Sequence, residues 1–309
     1  MGISLVMPVT PPAPPQIFDR ARLAARRNRI AKSFADYSFL RQRVLADLES
    51  RLDDTPRSFE RGLELGAAGG DLSVRLIASG KTQAMVAADT APAFIAAAQA
   101  RGLDAAFADE EALPFPPASF DLIVAPLTLH WVNDLPGALA QIKRTLKPDG
   151  LFLGALFGAG TLAELRSVLT EAESEIMGGL APRLSPLPGL RDMAGLLQRA
   201  GFALPVADRD TVTVRYAGPE RLLADLKGMG ERAAFSRGTG QPLPRRVLAR
   251  AAALYRERHA EADGRVPATF EIVHALGWAP GPDQPRPLKP GSAKVSLADA
   301  VRRVQKDEG

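Results

Sequence analysis

The sequence predicts an α/β fold, in which an open and mostly parallel sheet carries helices on both faces. Two observations lead to it. From Phe59 to Phe157, short apolar strands alternate with helical segments of about ten residues, and several of these strands end at a glycine or an acidic residue. Strands separated by helices pair in parallel, because each helix returns the chain to the end of the sheet at which the previous strand began.

The elements of this alternating region follow in a regular order. Pro92 stands near the start of one predicted helix, where no backbone hydrogen bond is lost, and Gly80 follows the end of another. Strands are predicted at Phe59–Leu65, Ala84–Ala88, Asp104–Ala108, Phe120–Ala125 and Leu151–Phe157, and helices at Asp71–Ala78, Pro92–Arg101 and Leu135–Leu146.

The flanking segments have different patterns. Apolar residues at three- and four-residue steps predict a helix from Asp19 to Ser50. Further elements are predicted after the core, with helices at Thr161–Ile176, Arg191–Ala200, Pro219–Lys227 and Arg245–Ala260, and strands at Thr211–Tyr216 and Thr269–Leu276. The chain therefore divides into a disordered leader (1–16), a helical lid (17–58), a ligand-binding core (59–157), the rest of the sheet with helical additions for substrate or partner (158–278), and a Pro-rich tail (279–309).

Composition excludes several classes of protein. The 309 residues include no cysteine and three histidines, which rules out disulfides, thiolate metal sites and a cysteine nucleophile. Only His259, Glu261 and His274 could form the two-histidine, one-carboxylate set of an iron oxygenase, and we expect no metal site. No apolar run reaches the ~18 residues of a membrane span. We expect a cytoplasmic protein, or a mitochondrial matrix protein in a eukaryote.

Charge is distributed unevenly along the chain. Residues 60–150 hold seven Lys and Arg against eleven Asp and Glu, whereas residues 1–59 hold ten against six. The net charge of +4 is therefore concentrated outside an acidic core. A solvated arginine-rich surface is the simpler explanation of the basic flanks, and we expect a protein partner for them rather than nucleic acid.

Ligands of open parallel sheets bind at the carboxyl ends of the strands. The first strand runs from Glu64 into a glycine-rich turn that contains Gly66, Ala68 and Gly70. This spacing differs from the dinucleotide motif, and Glu64 would attract a cationic ligand and repel a pyrophosphate. The second strand ends at Asp89, followed by Thr90, and an acid there can accept hydrogen bonds from both hydroxyls of a ribose.

Two further strand ends carry polar groups. Asp109 and Glu110 follow the third strand, where a carboxylate can accept a hydrogen bond from an adenine amino group. The fourth strand leads to Leu127, His130 and Trp131. Each of these features alone also fits a structural role, as a tight turn, a helix cap, a solvated acidic turn or a packed core residue.

Together these strand ends resemble the class I S-adenosylmethionine-dependent methyltransferases. The resemblance implies a Rossmann-like, seven-stranded sheet and S-adenosylmethionine as cofactor. It assigns cofactor binding to the following positions: Glu64, Gly66, Ala68, Gly70, Asp89, Thr90, Asp109, Glu110 and Leu127. The family commonly has glycine where this chain has Ala68, and the added methyl group crowds the turn.

Longer motifs resemble a narrower family, the mitochondrial NADH:ubiquinone oxidoreductase (complex I) assembly factor 5 family and its bacterial relatives. They include Asp109–Phe115, Leu129–Pro136, Gly228–Glu231, Asp263–Thr269 and Gly291–Ala293. The resemblance implies a role in complex I assembly, with hydroxylation of an arginine on the iron–sulfur subunit nearest the quinone site. That subunit is then the expected partner.

The acceptor pocket has three predicted lining residues, His130, Trp131 and Tyr37. Methyl transfer needs mainly the alignment of donor and acceptor, so the residues leave methylation open beside hydroxylation. Two other functions also stay open. One is methylation of a small molecule or an acyl carrier, similar to the malonyl carrier-protein methyltransferase of biotin synthesis. The other is a non-catalytic assembly chaperone that binds the cofactor structurally.

Overall fold

The computed structural model describes residues 15–181, 183–236, 243–282 and 284. Nearly all of the predicted leader, most of the predicted tail and the Gly291–Ala293 motif lie outside these residues. Within them, no helix is both long and apolar enough to cross a lipid bilayer.

The architecture centres on one sheet of seven strands in the order β3-β2-β1-β4-β5-β7-β6. Strands β1 to β5 run parallel, and β7 is antiparallel to both β5 and β6. The strands are β1 (Phe59–Leu65), β2 (Thr82–Asp89), β3 (Asp104–Phe107), β4 (Phe120–Pro126), β5 (Leu146–Phe157), β6 (Ala203–Tyr216) and β7 (Val266–Trp278). The predicted α/β fold and its mostly parallel sheet are confirmed.

Helices cover both faces of this sheet. They are α1 (Arg20–Ile30), α2 (Phe39–Asp53), α3 (Asp71–Ala78), α4 (Pro92–Gln99), α5 (Leu135–Thr145), α6 (Ala163–Met177), α7 (Leu190–Ala200), α8 (Pro219–Gly228) and α9 (Arg245–His259). Buried residues of α2, α3, α6, α8 and α9 share one hydrophobic cluster, and those of α5 and α7 share another. The central strands are therefore buried on both sides, as parallel strands usually are.

The N-terminal helix predicted from Asp19 to Ser50 is interrupted. The chain forms α1, then a 3₁₀ helix at Ala31–Tyr37, then α2. Asp19 caps α1 by accepting a hydrogen bond from the backbone N–H of Arg22, at 2.8 Å. Neither glycine nor proline marks the interruption, so residue patterns alone could not place it. The break lets α1 lie over the carboxyl ends of the strands while α2 packs on the sheet.

Candidate functional site

The glycine-rich turn between β1 and α3 builds the floor of the site. Gly66 has a φ of +61°, and a Cβ added there would lie 2.6 Å from Cβ of Thr128. Gly70 has a φ of +81°, and a Cβ would lie 2.3 Å from a methyl carbon of Leu103. Both positions require glycine. The turn consequently exposes bare backbone at the point where a ligand would approach the sheet.

Ala68 lies in the same turn and adopts a left-handed conformation, with a φ of 48°. A residue with a Cβ is strained in this region of backbone space. Its backbone N–H donates to Oδ2 of Asp89 at 3.0 Å. The turn is thus held against the end of β2 even though alanine occupies this strained position.

Asp89 is the buried carboxylate at the end of β2, and only 2% of it is exposed. Besides Ala68, the backbone N–H of Ala91 donates to it at 2.9 Å. Arg27 of α1 pairs with it, with Nη2 at 2.6 Å from Oδ2. Burial alone would raise the pKa of Asp89, but Arg27 and these donors hold it below its usual value. Asp89 is therefore ionised, with half-buried Thr90 beside it.

Glu64 occupies a different position from the one we expected. It is fully buried beneath the turn. Its Oε1 accepts a hydrogen bond from Arg41 at 3.1 Å, and its Oε2 accepts from the backbone and hydroxyl of Ser73 at 2.9 and 2.7 Å. Burial raises the pKa of Glu64, and Arg41 opposes that rise. Both carboxylate oxygens therefore already accept hydrogen bonds from the protein. Glu64 orders the turn and the start of α3.

Asp109 and Glu110 lie together beyond β3. Nη2 of Arg20, from α1, is 2.7 Å from Oδ1 of Asp109 and also pairs with Glu110. Glu110 is buried and also accepts a hydrogen bond from the hydroxyl of Thr128. Leu127, at the end of β4, has a φ of 51° and packs in the main core. The strand ends thus bring most of the predicted positions to one edge of the sheet.

Sequence reasoning missed the arginines that pair with these acids. Arg20 and Arg27 both come from α1, and Arg41 comes from α2. The available signal was the run from Arg20 to Lys32, with six basic residues and no acid, ahead of an acidic core. Partners separated by 62 residues, such as Arg27 and Asp89, cannot be matched by spacing.

The strand-end residues above form the first site. A separate cavity, called the second cavity below, is lined by His130 and Trp131. Glu231 joins them: its Oε2 lies 3.0 Å from Nε2 of His130 and accepts a hydrogen bond from Nε1 of Trp131 at 3.2 Å. Phe157 and Phe270 form the aromatic part of the wall. Tyr37 does not line this cavity, because its ring packs against Gly228 and the core. Glu231 lines the cavity instead, although it is not among the site residues predicted from the sequence.

The possible iron-site residues remain apart. His274 is buried on β7, opposite Asp208 of β6 and Ala155 of β5, whereas His259 ends α9 with its ring against Tyr255. In the part of the chain that the structure describes, no group of three or more His, Asp or Glu side chains could hold a metal ion.

Known proteins are similar in sequence to this chain, both in the core and along nearly its whole length. A family model described as a methyltransferase domain matches residues 63–154. The mitochondrial arginine-hydroxylase NDUFAF5 of Danio rerio is 39% identical over 300 residues, which cover 94% of this chain and 92% of the relative. Its Homo sapiens counterpart is 40% identical, over 94% and 85% of the two chains. A malonyl-[acyl-carrier protein] O-methyltransferase of Halorhodospira halophila is 32% identical, over 94% and 99%.

Solved structures share the fold at low sequence identity. The YcgJ protein from Bacillus subtilis has a TM-score of 0.53 and 17% identity, and the match covers 75% of this chain and 97% of that one. A protein from Bacillus halodurans has a TM-score of 0.54, also at 17% identity, over 76% and 98%.

Proposed function

Because this chain belongs to the family of the mitochondrial arginine-hydroxylase NDUFAF5, within the S-adenosylmethionine-dependent methyltransferase superfamily, we propose that it modifies an arginine side chain of a protein during assembly of respiratory complex I. The expected substrate is the iron–sulfur subunit near the quinone site. The observation that carries the proposal is the extent of the similarity, which covers 94% of the chain and so includes the helices and loops around the second cavity.

The strand-end residues fit the cofactor of this superfamily. The turn from Gly66 to Gly70 leaves no room for added side chains at two positions, and its bare backbone suits close contact with a ligand. Asp89 is oriented by two backbone donors and would accept hydrogen bonds from the ribose hydroxyls. Asp109 would face the adenine. When bound, S-adenosylmethionine supplies an electrophilic methyl group on a positively charged sulfur.

Helix α1 has to adjust when this cofactor binds. Arg27 contacts both oxygens of Asp89, at 3.3 Å from Nε and 2.6 Å from Nη2. A ribose on Asp89 would compete for the same oxygen atoms. We therefore propose that the segment around α1 acts as a lid, in which Arg27 and Arg20 exchange carboxylate contacts for cofactor contacts.

Two reactions at the arginine are distinguished by their products. Hydroxylation replaces a C–H bond by C–OH with one oxygen atom of O₂, and a two-electron reductant with two protons converts the other oxygen atom to water. Methylation forms an N–C bond as the S–C bond breaks, and releases S-adenosylhomocysteine and a proton. The names of the relatives at 39–40% identity favour hydroxylation.

Mass spectrometry tests the proposal. The iron–sulfur subunit is incubated with the protein, S-adenosylmethionine, O₂ and a two-electron reductant. We expect a gain of one oxygen atom on an arginine. The gain is lost when that arginine is replaced by lysine, and at subsaturating S-adenosylmethionine it is reduced when the enzyme carries Asp89→Asn. A gain of one methyl group would instead identify the chain as an arginine methyltransferase. No change, with normal cofactor binding, would refute modification of this subunit and leave an assembly chaperone or a carrier-protein substrate.

One observation favours a second function, methylation of a malonyl group on an acyl carrier. Arg166 is exposed at the mouth of the second cavity, and no ion pair to it occurs within the described ranges. A carboxylate substrate could pair with this guanidinium. Incubation with malonyl-loaded carrier protein and S-adenosylmethionine tests this function, and a methyl ester product would support it over arginine modification.

A further inference from the structure

The second cavity, which we call the slot, is lined mainly by apolar side chains. Its aromatic walls are Trp131, Phe157 and Phe270, and aliphatic side chains complete them, including Leu162 and Leu226. A long side chain with an apolar stem can lie along such walls while its polar end reaches a charged group. The face of an aromatic ring also attracts a guanidinium.

Among the described residues that line this slot, Glu231 is the one carboxylate. Glu231 is 15% exposed at its side chain. In the described structure, both hydrogen bonds of its carboxylate involve Oε2. One comes from Nε1 of Trp131 and the other joins it to Nε2 of His130. Oε1 is therefore left for another donor. Nδ1 of His130 is also buried with no partner. The slot thus presents acceptor capacity that the protein itself does not use.

Two arginines, Arg183 and Arg166, also line the slot, and they differ in their surroundings. Arg183 is tied to Glu173, with its Nε 2.9 Å from Oε1. Arg166 lies at the exposed mouth, on α6. Within the described part of the chain, neither arginine forms an ion pair with Glu231. The slot is therefore lined by one described carboxylate, Glu231, and by two arginines, of which Arg166 is exposed.

The slot is also connected to the cofactor side. Arg20 donates from Nη1 to the backbone carbonyl of Trp131 at 3.1 Å, while its Nη2 pairs with Asp109 at 2.7 Å. One arginine therefore links the strand-end carboxylates to the backbone of Trp131, whose side chain lines the slot. A side chain bound at Glu231 would lie next to the cofactor-binding edge.

From these contacts we propose that Glu231 binds the guanidinium group of the substrate arginine and sets the preference of the slot for a cation. This inference rests on the proposed function and names its specificity residue. Oε1 accepts one N–H of the guanidinium, the aromatic walls enclose its planar faces, and Trp131 and His130 hold the carboxylate in position. Glu231 thereby distinguishes an arginine from a malonyl carboxylate.

Binding of small probes tests Glu231 directly. The full chain, saturated with S-adenosylhomocysteine, is titrated by NMR with Nα-acetyl-arginine methylamide, its citrulline analogue and malonate. We expect the arginine probe to bind about tenfold more tightly than citrulline, since a charged hydrogen bond is lost with citrulline. Glu231→Gln should remove this preference, and Glu231→Asp should retain part of it.

The controls separate recognition from folding. Glu220→Gln, an exposed charge removal at the start of α8, should leave all three affinities unchanged. Affinity for S-adenosylhomocysteine should stay the same in each variant. Equal binding of arginine and citrulline by the unaltered protein would overturn the proposal. An equal loss of both in Glu231→Gln, or tighter binding of malonate than of the arginine probe, would overturn it as well.

Failure of this inference and failure of the proposed function look different. If the arginine probe binds through Glu231 but the complex I subunit is never modified, the proposed function fails and the guanidinium site stands. If the subunit is modified at the same rate and with the same arginine preference by Glu231→Gln, the proposed function stands and Glu231 has no part in recognition.

Discussion

Asp89 is the residue on which cofactor binding at the first site is expected to depend most. Its carboxylate is buried, ionised and aligned by two backbone N–H groups. Asp89→Asn should weaken S-adenosylmethionine binding on the order of tenfold, because hydrogen bonds to a charged acceptor are stronger than those to an amide. Isothermal titration calorimetry measures this change. Asp210→Asn, an exposed position paired with Arg43, is the matched control, and equal affinity in both variants would contradict the assignment.

The ion pair between Arg27 and Asp89 predicts a pH dependence. Burial opposes ionisation of Asp89, yet Arg27 brings its pKa below the usual value. A carboxyl group with a lowered folded-state pKa stabilises the fold above its unfolded pKa of about 3.9, and this stabilisation is lost as pH falls through the folded value.

Arg27→Gln should therefore raise the pKa of Asp89 and move acid unfolding to higher pH. It should also lower stability at neutral pH by about 3 kcal/mol, because a buried charge loses its partner. Circular dichroism between pH 7 and pH 2 records both effects. Arg43→Gln removes a comparable but half-exposed charge and should change little. An unaltered acid midpoint in Arg27→Gln would show that the pair does not control Asp89.

Backbone strain at Ala68 leads to another residue-level prediction. Its φ of 48° disfavours any residue with a Cβ. Ala68→Gly should stabilise the protein by about 0.5–1 kcal/mol, since relief of that strain exceeds the added freedom of the unfolded chain. Gly66→Ala, in the same turn, should destabilise it because the new Cβ meets Thr128. Urea unfolding compares the two, and destabilisation by Ala68→Gly would contradict the strain at this position.

At the scale of elements, a small aromatic cluster fastens α1 over the site. Phe18 is 3% exposed and contacts Trp131 and Phe235, with ring centroids 5.4 and 6.3 Å apart. Its backbone N–H also donates to Asn133 at 2.7 Å. This cluster is separate from the two large cores, so it can open without unfolding them.

Phe18→Ala should release α1 selectively. Loss of the ring leaves a cavity in this small cluster and weakens the packing of α1. We expect trypsin to cleave the arginine-rich helix faster, on the order of tenfold for ~1.4 kcal/mol of local opening, with a nearly unchanged melting temperature. Phe39→Ala provides the control, because Phe39 of α2 is 43% exposed. Cleavage at the original rate would show that α1 is held elsewhere.

Residue patterns predicted elements well where burial and turn residues agreed. Strand β1 and helix α3 have the predicted bounds, because a glycine-rich turn separates them. Strand β6 begins at Ala203 rather than Thr211, because Pro205 and the charged run Asp208, Arg209 and Asp210 interrupt the alternating pattern in its first half. Their pairing with β7 comes from tertiary contact, which a local pattern does not contain.

The candidate site residues also fall into two groups, those that local sequence rules predict and those that depend on packing between distant parts of the chain. The positions of Asp89 and Asp109 followed from the rule that strand ends carry ligands, and the structure brings them to one edge. The burial of Glu64 and the distance of Tyr37 from the cavity depended on side-chain packing between remote elements. Glu231 belongs to a motif that could be recognised, but its contact with His130 crosses 101 residues.

For the whole molecule, cofactor binding should act as a global stabiliser. The site joins the sheet to α1, and α1 is bonded to the segment after α8 through Arg26 and the carbonyl of Ala233 at 3.0 Å. S-adenosylmethionine at a hundred times its Kd should add about 2.7 kcal/mol to the free energy of unfolding. Differential scanning fluorimetry measures the shift in Tm. Absence of a shift in the unaltered protein at saturation would argue against a folded-state site.

The position of Trp131 has an optical consequence. The chain has two tryptophans, and the other, Trp278, lies at the far end of β7, paired with Leu151 and Ala203. With Trp278→Phe, the emission of the protein comes from one indole that touches Phe18 on its lid side and Glu231 on its acceptor side. Cofactor and substrate could then be followed as separate fluorescence changes in stopped flow, so the order in which the two ligands bind becomes directly readable without a label.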